Sequence, residues 1–142
     1  MVPNEHKYQM LADWLAGKTV KAAFLMSNTT VDTETDGIAN LDDYTTYDEL
    51  DDTNYVRPTV TGLAVAKDDA NDRAELDCDD IVLTGMAGDA LRQVVAVQFV
   101  IHVDGTAAND IPGPVCEFDA PKTVDSGNFT ATIGTDGFFH LT

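Results

Sequence analysis

The sequence predicts an all-β protein: an antiparallel β-sandwich or jelly-roll-like single domain with a short N-terminal helix or arm. The chain has 142 residues, 44% of them hydrophobic, which is enough for one domain to bury a core of its own. Beyond residue 17, runs rich in Val, Ile, Thr and Phe alternate with Gly, Pro, Asn and Asp clusters, as in sandwiches of about seven or eight strands. We therefore divide the chain into a helix or arm, residues 1–17, and a sandwich domain, residues 18–142.

The first element, residues 4–17, has the pattern of a short helix. Asn4 is a residue type that caps helix N-termini, and Gly17 is the type that most often ends them. Apolar side chains recur at helical spacing between them. This face fits two alternatives equally well: packing on the protein's own sandwich, or contact with another subunit or a partner protein. The contact hypothesis names four residues: Tyr8, Leu11, Trp14 and Leu15.

Up to eight later segments have strand-like composition. In chain order they are KTVKAAFLMSN, YVRPTVTGLAVAK, RAELD, DIVLTGM, RQVVAVQFVIHV, a weak strand near VCEF, NFTATIG and FFHLT. RQVVAVQFVIHV (92–103) is nearly continuous in apolar residues and predicts a central strand buried on both faces. The turn sequence TDG (135–137) predicts that the last two strands form a hairpin. TTYDELDD (45–52) fits either one helical turn or an acidic loop.

The stretch VAKDDANDRAELDCDDIVL (65–83) holds seven acidic side chains in nineteen positions. Apolar and acidic residues alternate through RAELD, which indicates a strand with a wet face, and DDANDR has the residues of a tight turn. The apolar positions then shift by one residue at Asp79–Asp80, the pattern of a β-bulge. We predict a hairpin with a bulge here and not a cation site.

A calcium site is predicted more weakly within DTETDGIANLDD (32–43). Gly37 stands at the sixth position, as in an EF-hand-type loop, but Ala39 replaces the usual β-branched residue, and the preceding segment is strand-like. No metal is favoured, and calorimetry with millimolar calcium tests the alternative. The oxygen ligands of this calcium site would be Asp32, Glu34, Asp36, Asn40 and Asp43.

The charge balance excludes several partners. Twenty-five acidic and eight basic residues give a net charge of −17, which repels nucleic acid and anionic membrane surfaces. The N-terminus lacks the basic-then-apolar order of a signal peptide, so we expect synthesis in a cytoplasm. Cys78 and Cys116 are too few for a disulfide framework and are interpreted as small buried side chains.

Catalytic motifs are missing from the sequence. His6 lies in the N-terminal segment, His102 lies two residues before Asp104 in a predicted turn, and His140 lies near the C-terminus. None of them can be assigned a nucleophile and an orienting group from spacing. We predict that the protein is not an enzyme and needs no cofactor.

Three stretches resemble small proteins encoded in the structural-gene region of tailed bacteriophages: KAAFLMSNTT, YVRPTVTGLAVAKDDANDRAELDCDDI and HVDGTAANDIP. The resemblance runs from about residue 10 to residue 142, and residues 55–81 carry its most specific part. It implies a virion structural protein of the capsid decoration, or cement, type, with a jelly-roll or immunoglobulin-like sandwich. It supplies no catalytic residues.

The expected partner is therefore the major capsid protein, and the expected location is the outer capsid surface of the virion. We expect a homo-oligomer, with a trimer favoured and a dimer possible, because closed symmetry multiplies weak contacts. Two alternatives stay open: a tail, neck or fibre-associated virion protein, and a calcium-dependent binding module using residues 32–43.

Overall fold

The computed structural model describes residues 2–103, 106–135 and 137–142. Within them, one helix, α1 (Asn4–Leu15), precedes eight strands. The strands are β1 (Val20–Met26), β2 (Ala64–Asp68), β3 (Arg73–Asp77), β4 (Ile81–Met86), β5 (Val94–Ile101), β6 (Ile111–Lys122), β7 (Gly127–Ala131) and β8 (Phe139–Leu141). The predicted all-β class with a short N-terminal helix is confirmed.

The strands form three antiparallel sheets, in the orders β1-β5-β6, β2-β3-β8 and β4-β7. The main core lies between the first sheet and the β4–β7 pair. Phe24 of β1 meets Phe129 of β7 edge to face, with ring centroids 5.9 Å apart. The β1-β5-β6 sheet and the β4–β7 pair are thus the two layers that enclose the main core.

The prediction of a central strand buried on both faces is confirmed for β5, which lies between β1 and β6. Its inner face contributes to the main core, and its outer face is covered by the segment that follows β1. In that segment Tyr44 and Tyr47 stack at 5.6 Å, and the Tyr47 hydroxyl donates to the buried Gln98 side chain at 2.9 Å. The continuous apolar run follows from this cover on both sides.

Residues 55–67 do not form the long strand that their composition predicted. Only the end of this segment belongs to β2. Residues 58–60 run irregularly along the outer edge of β1, where Ala22 donates its N–H to the Pro58 carbonyl at 3.0 Å. Proline has no N–H to donate, which confines it to such edge positions. Residues 45–52 likewise form a loop along β1 and not a helical turn, with Leu50 N–H donating to the Phe24 carbonyl at 2.8 Å.

The predicted helix is confirmed, but its N-cap is Pro3 and not Asn4. The Asn4 side chain donates instead to Asp69 at 3.0 Å, which ties the helix to the β2–β3 turn. Gly17 has φ of +67°, the left-handed conformation that commonly ends helices. The helix packs on the β2–β3–β8 sheet and closes a second apolar cluster beneath it.

The predicted hairpin within residues 65–83 is also confirmed, because β2 and β3 pair in register. Asp68 Oδ1 accepts hydrogen bonds from the backbone N–H groups of Ala70 and Asn71 at 3.1 and 3.2 Å. Asp72 has φ of 52°, a conformation that aspartate tolerates in turns. The acidic residues of this stretch stabilise the turn or lie on the more solvent-exposed face of the strand.

The bulge predicted at Asp79–Asp80 is wrong. The apolar frame shifts there because the chain leaves one sheet after β3 and enters another at β4. Asp79 donates its backbone N–H to the Thr61 carbonyl at 3.0 Å, and the Asp80 carboxylate accepts from Ile133 N–H at 2.8 Å. A crossing between sheets and a bulge leave the same trace in sequence.

The hairpin predicted for the last two strands is wrong as well. β7 pairs with β4, whereas β8 pairs with β3 in a different sheet. Asp136 of the TDG turn lies outside the described residues. The weak strand near VCEF is in fact the start and middle of the long strand β6, which begins at Ile111. Its prolines are accommodated because β6 is the last strand of its sheet.

Candidate functional site

For the apolar face of α1, the sequence left two alternatives open: packing on the protein's own sandwich and contact with a partner. Leu11 is only 7% exposed and packs with Ala74 and Leu76 of β3. Tyr8, Trp14 and Leu15 are partly buried in the same cluster. Packing on the protein's own sheet therefore accounts for Leu11. For the other three residues, contact with a partner stays a prediction.

Trp14 reaches further than the other helix residues and lies against Gly113 of β6. A Cβ atom on Gly113 would stand 2.8 Å from the Trp14 ring and 2.6 Å from the Phe99 carbonyl oxygen. Only glycine permits this close approach. The helix is thus in contact with the first sheet as well as with the second.

An apolar groove of about 350 Å³ opens beside this contact. We call it the helix groove. It is bordered by α1, by β3 and β8, and by the beginning of β6. Its lining residues are Met10, Leu11, Trp14, Leu76, Gly113, Pro114, Phe139 and Leu141. Sequence reasoning named Leu11 and Trp14 but missed the rest, because no local pattern brings four distant segments together.

The predicted calcium loop does not gather its ligands. Glu34 accepts the Thr45 N–H at 2.8 Å, and Asp43 Oδ2 accepts the N–H groups of Ala39 and Asn40 at 2.8 and 3.1 Å. The Asn40 side chain caps the short 3-10 turn Leu41–Asp43. Asp32 and Asp36 are exposed to solvent. No group of three or more His, Cys, Asp or Glu in the described part of the chain could hold a metal ion.

A charged cluster that sequence reasoning missed joins three distant segments. Arg57 donates from Nε and Nη2 to the two carboxylate oxygens of Glu49, at 2.6 and 2.5 Å. Its Nη1 donates to Asp110 Oδ2 at 2.8 Å and to the Ala107 carbonyl at 3.1 Å. Arg57 is 11% exposed and Asp110 is fully buried. We call these three residues the Arg57 clamp.

His102 belongs to the same cluster. Its Nδ1 lies 3.0 Å from Asp110 Oδ1, which also accepts the Val103 N–H at 2.9 Å. Because a carboxylate only accepts hydrogen bonds, Nδ1 is the protonated ring nitrogen. Asp104, which spacing had placed near His102, lies outside the described residues. In the folded protein the partner of His102 is the buried Asp110.

Two tyrosines border the clamp and stay protonated. Burial raises the pKa of Tyr55 and Tyr47, and the nearby Glu49 carboxylate adds to the shift in both cases. The Tyr55 hydroxyl donates to Glu49 at 2.7 Å and accepts the Phe24 N–H at 3.1 Å. For Arg57, burial lowers the pKa, but the bond to Glu49 and its charge outweigh this and raise it. The cluster therefore pairs its charges internally and holds residues 47–57 against Ala107 and Asp110.

Asp52 forms a second internal anchor. Its carboxylate accepts the N–H groups of Ala87, Gly88 and Asp89 at 3.0, 2.7 and 3.3 Å, and that of Asn54 at 2.9 Å. Burial by itself would raise the pKa of Asp52, but these four backbone hydrogen bonds outweigh it and lower the pKa. The anchor fixes the turn after β4.

We expect the Asp52→Asn variant to be less stable than the wild type at pH 7, because an amide offers one acceptor oxygen in place of two. The contribution of Asp52 is complete above the pKa of an unfolded aspartate, ~3.9, and is lost as pH falls through its lower folded-state pKa. The difference between variant and wild type should therefore shrink steadily below about pH 4. Urea unfolding at pH 7 and in acid measures it, with Asp125→Asn as the control for net charge. A difference independent of pH would contradict this role.

The remaining candidates have structural surroundings. Cys78 is buried and Cys116 is partly buried, and both are free thiols, in line with the prediction of small packed side chains. Burial raises the pKa of Cys78 to about 12 and of Cys116 to about 11, so both stay protonated at neutral pH. His140 Nδ1 lies 3.3 Å from Arg73 Nη1 on the second sheet, and His6 lies exposed on α1.

No family model, no curated protein and no solved structure matches the chain. Among the described residues, no helix combines the length and the apolar character needed to cross a bilayer.

Proposed function

We propose that the protein is a non-catalytic structural component of a tailed-bacteriophage particle that binds the outer capsid shell and stabilises it. The sequence resemblance to phage structural proteins suggests this class. The β-rich scaffold supports it, since a decoration protein has to act through many contacts made by a rigid body.

The observation that carries the proposal is how the basic side chains are used. Within the part of the chain that the structure describes, six of the eight form ion pairs with carboxylates of the same chain, whereas Lys18 and Lys21 do not. The six are Lys7, Arg57, Lys67, Arg73, Arg92 and Lys122. The surface left for partners is therefore acidic almost everywhere.

An acidic surface suits the outside of a shell. It repels free nucleic acid and neighbouring particles, and it attracts a basic patch on the protein below. The internal anchors favour the same role, because they hold long irregular segments in place before docking. A rigid surface loses less conformational entropy when it binds.

The proposal predicts that purified protein co-sediments with expanded shells of the major capsid protein from the same genome. Binding should weaken as salt is raised, since charge attraction between exposed groups is screened. Gel densitometry should give a copy number comparable to that of the major capsid protein. Shells that leave all of the protein in the supernatant at low salt would contradict the proposal.

A tail, neck or fibre-associated role is the alternative class, and copy number separates the two. A few copies in each purified virion, located at the portal vertex or tail by cryo-EM, would favour it. We propose binding as a homo-oligomer, with a trimer favoured over a dimer, which light scattering measures. The calcium-dependent module has weaker support, because three of its five residues already accept hydrogen bonds from backbone N–H groups nearby in the chain.

A further inference from the structure

We propose that the helix groove is a docking site for a short apolar segment of a partner protein, and that this segment carries lysine or arginine beside its apolar side chains. The inference rests on the proposed binding role. It adds the surface used and the chemistry of what is bound.

The groove has the shape and lining of a recognition site. Its volume of about 350 Å³ lies at the lower end of the ~300–1,000 Å³ typical of ligand sites. Leu11 and Leu76 form a buried floor, while Met10 on the rim is 49% exposed. A half-exposed methionine is flexible and polarizable, so it adapts to the apolar side chains of a partner.

The groove also lies where two sheets end. β8 is the last strand of the second sheet, and β6 is the last strand of the first. They approach each other where the Cys116 thiol donates to the Phe138 carbonyl at 3.1 Å. The side chains of Phe139, Leu141 and Pro114 beyond this contact line the groove. An apolar segment of a partner would complete the packing between the two sheet ends.

Charge determines which apolar segment fits. Asp13 precedes Trp14 on the exposed side of α1, beside the groove. The carboxylates at the helix N-terminus contribute less, because Glu5 and Asp72 are already paired with Lys67 and Lys7. With a net charge of −17 on the whole chain, basic residues next to the apolar segment would be attracted and acidic ones repelled.

The same charges disfavour a second copy of this chain as the occupant of the helix groove, so the proposed homo-oligomer would form through a different surface. A second copy brings another charge of −17. Among the described residues, the basic side chains outside ion pairs are Lys18 and Lys21, which both lie at the beginning of β1. Val20 between them is buried, so this segment offers no free apolar side chain to insert at that position. A different, more basic protein satisfies the groove better.

The test is selection of a random peptide library on the wild-type protein, with Met10→Asp and Leu91→Asp as matched variants. Both replace an exposed apolar residue by aspartate, but only Met10 lines the groove. Trp14 is the single tryptophan of the chain, so its fluorescence reports directly on occupancy. Each selected peptide is also synthesised with glutamate in place of lysine and arginine.

We expect enriched peptides to combine apolar residues with lysine or arginine and to shift Trp14 emission to the blue. Met10→Asp should weaken their binding about tenfold or more, and Leu91→Asp should leave it unchanged. The glutamate versions should not bind. Circular dichroism of both variants checks that they are folded.

Three results would overturn the inference. The first is that selection on the wild type enriches no peptides beyond those selected on Met10→Asp. The second is that peptides without basic residues bind equally well. The third is concentration-dependent self-association that Met10→Asp abolishes, which would identify a second copy as the occupant. Shell binding separates this inference from the proposed function. If peptides bind but shells do not, only the proposed phage role is contradicted. If shells bind equally to the wild type and to Met10→Asp and no peptide binds, only the inference about the groove is contradicted.

Discussion

Replacing Arg57 by methionine is expected to lower the free energy of unfolding by about 3–5 kcal/mol, because it leaves buried charge without a partner. Asp110 is fully buried and would lose its contact to Nη1, and Glu49 would lose both of its hydrogen bonds to the guanidinium. Urea unfolding at pH 7, extrapolated linearly to water, measures the change.

Arg92→Met is the matched control. Arg92 also forms two hydrogen bonds with one carboxylate, that of Asp48, at 3.1 and 2.6 Å, but its side chain is 38% exposed. Water and salt screen such a pair, so its loss should matter far less than the loss of Arg57.

A double variant locates the cause. If unpaired charge is the penalty, adding Asp110→Asn to Arg57→Met should recover part of the lost stability. Equal stability of Arg57→Met and Arg92→Met would show that the clamp is unimportant. A double variant no more stable than the single one would mean that the guanidinium acts by packing alone.

Replacing Phe24 by alanine is expected to lower the free energy of unfolding by about 3–5 kcal/mol, since it empties the space between the two layers of the main core. Phe24 is fully buried and meets Tyr55 and Phe129 edge to face, at 6.4 and 5.9 Å. These contacts join β1, the loop along its edge and β7. The same unfolding measurement gives the change.

Leu91→Ala controls for the loss of apolar side-chain atoms, since Leu91 is 78% exposed and should be nearly neutral. The pair of variants tests the arrangement of the layers. If the β4–β7 pair did not cover β1, Phe24→Ala would be about as mild as Leu91→Ala.

The two anchors bear on the proposed function as well as on stability. The segment between β1 and β2 contains little regular structure, yet it supplies Glu49, Asp52 and Arg57. Asp52 and Arg57 bond to parts of the chain that are distant in sequence, and Glu49 binds Arg57. Acidic side chains from a stretch predicted as one helical turn or an acidic loop thus hold this segment on the scaffold. In the proposed role, this segment would form part of a rigid binding surface.

Local patterns predicted the elements that depend on local chemistry. The continuous apolar run of β5 required cover on both faces, and the alternation in β3 required one buried and one wet face. The turn residues Asp68 and Asp72 specified the β2–β3 hairpin. Helix α1 followed from its apolar spacing, although its cap was misplaced by one residue.

Patterns failed where the partner of a strand had to be known. The shift of apolar frame at Asp79–Asp80 had the same form as a bulge, and the glycine-containing turn before β8 had the same form as a hairpin. In both places the chain instead changes sheet. β6 was underestimated because its prolines weaken any strand pattern, and only its position at the end of a sheet makes them harmless.

By itself the sequence determined the all-β class, the N-terminal helix, the buried central strand, the first hairpin and the strongly acidic character of the surface. These properties follow from side-chain polarity, spacing and charge, which are written along the chain. Only the tertiary structure decided which strands pair, that Arg57 joins Glu49 to Asp110, and that Met10, Pro114 and Leu141 border one groove. Those contacts join residues far apart in sequence, and periodicity shows which face of an element is apolar but not what will cover it.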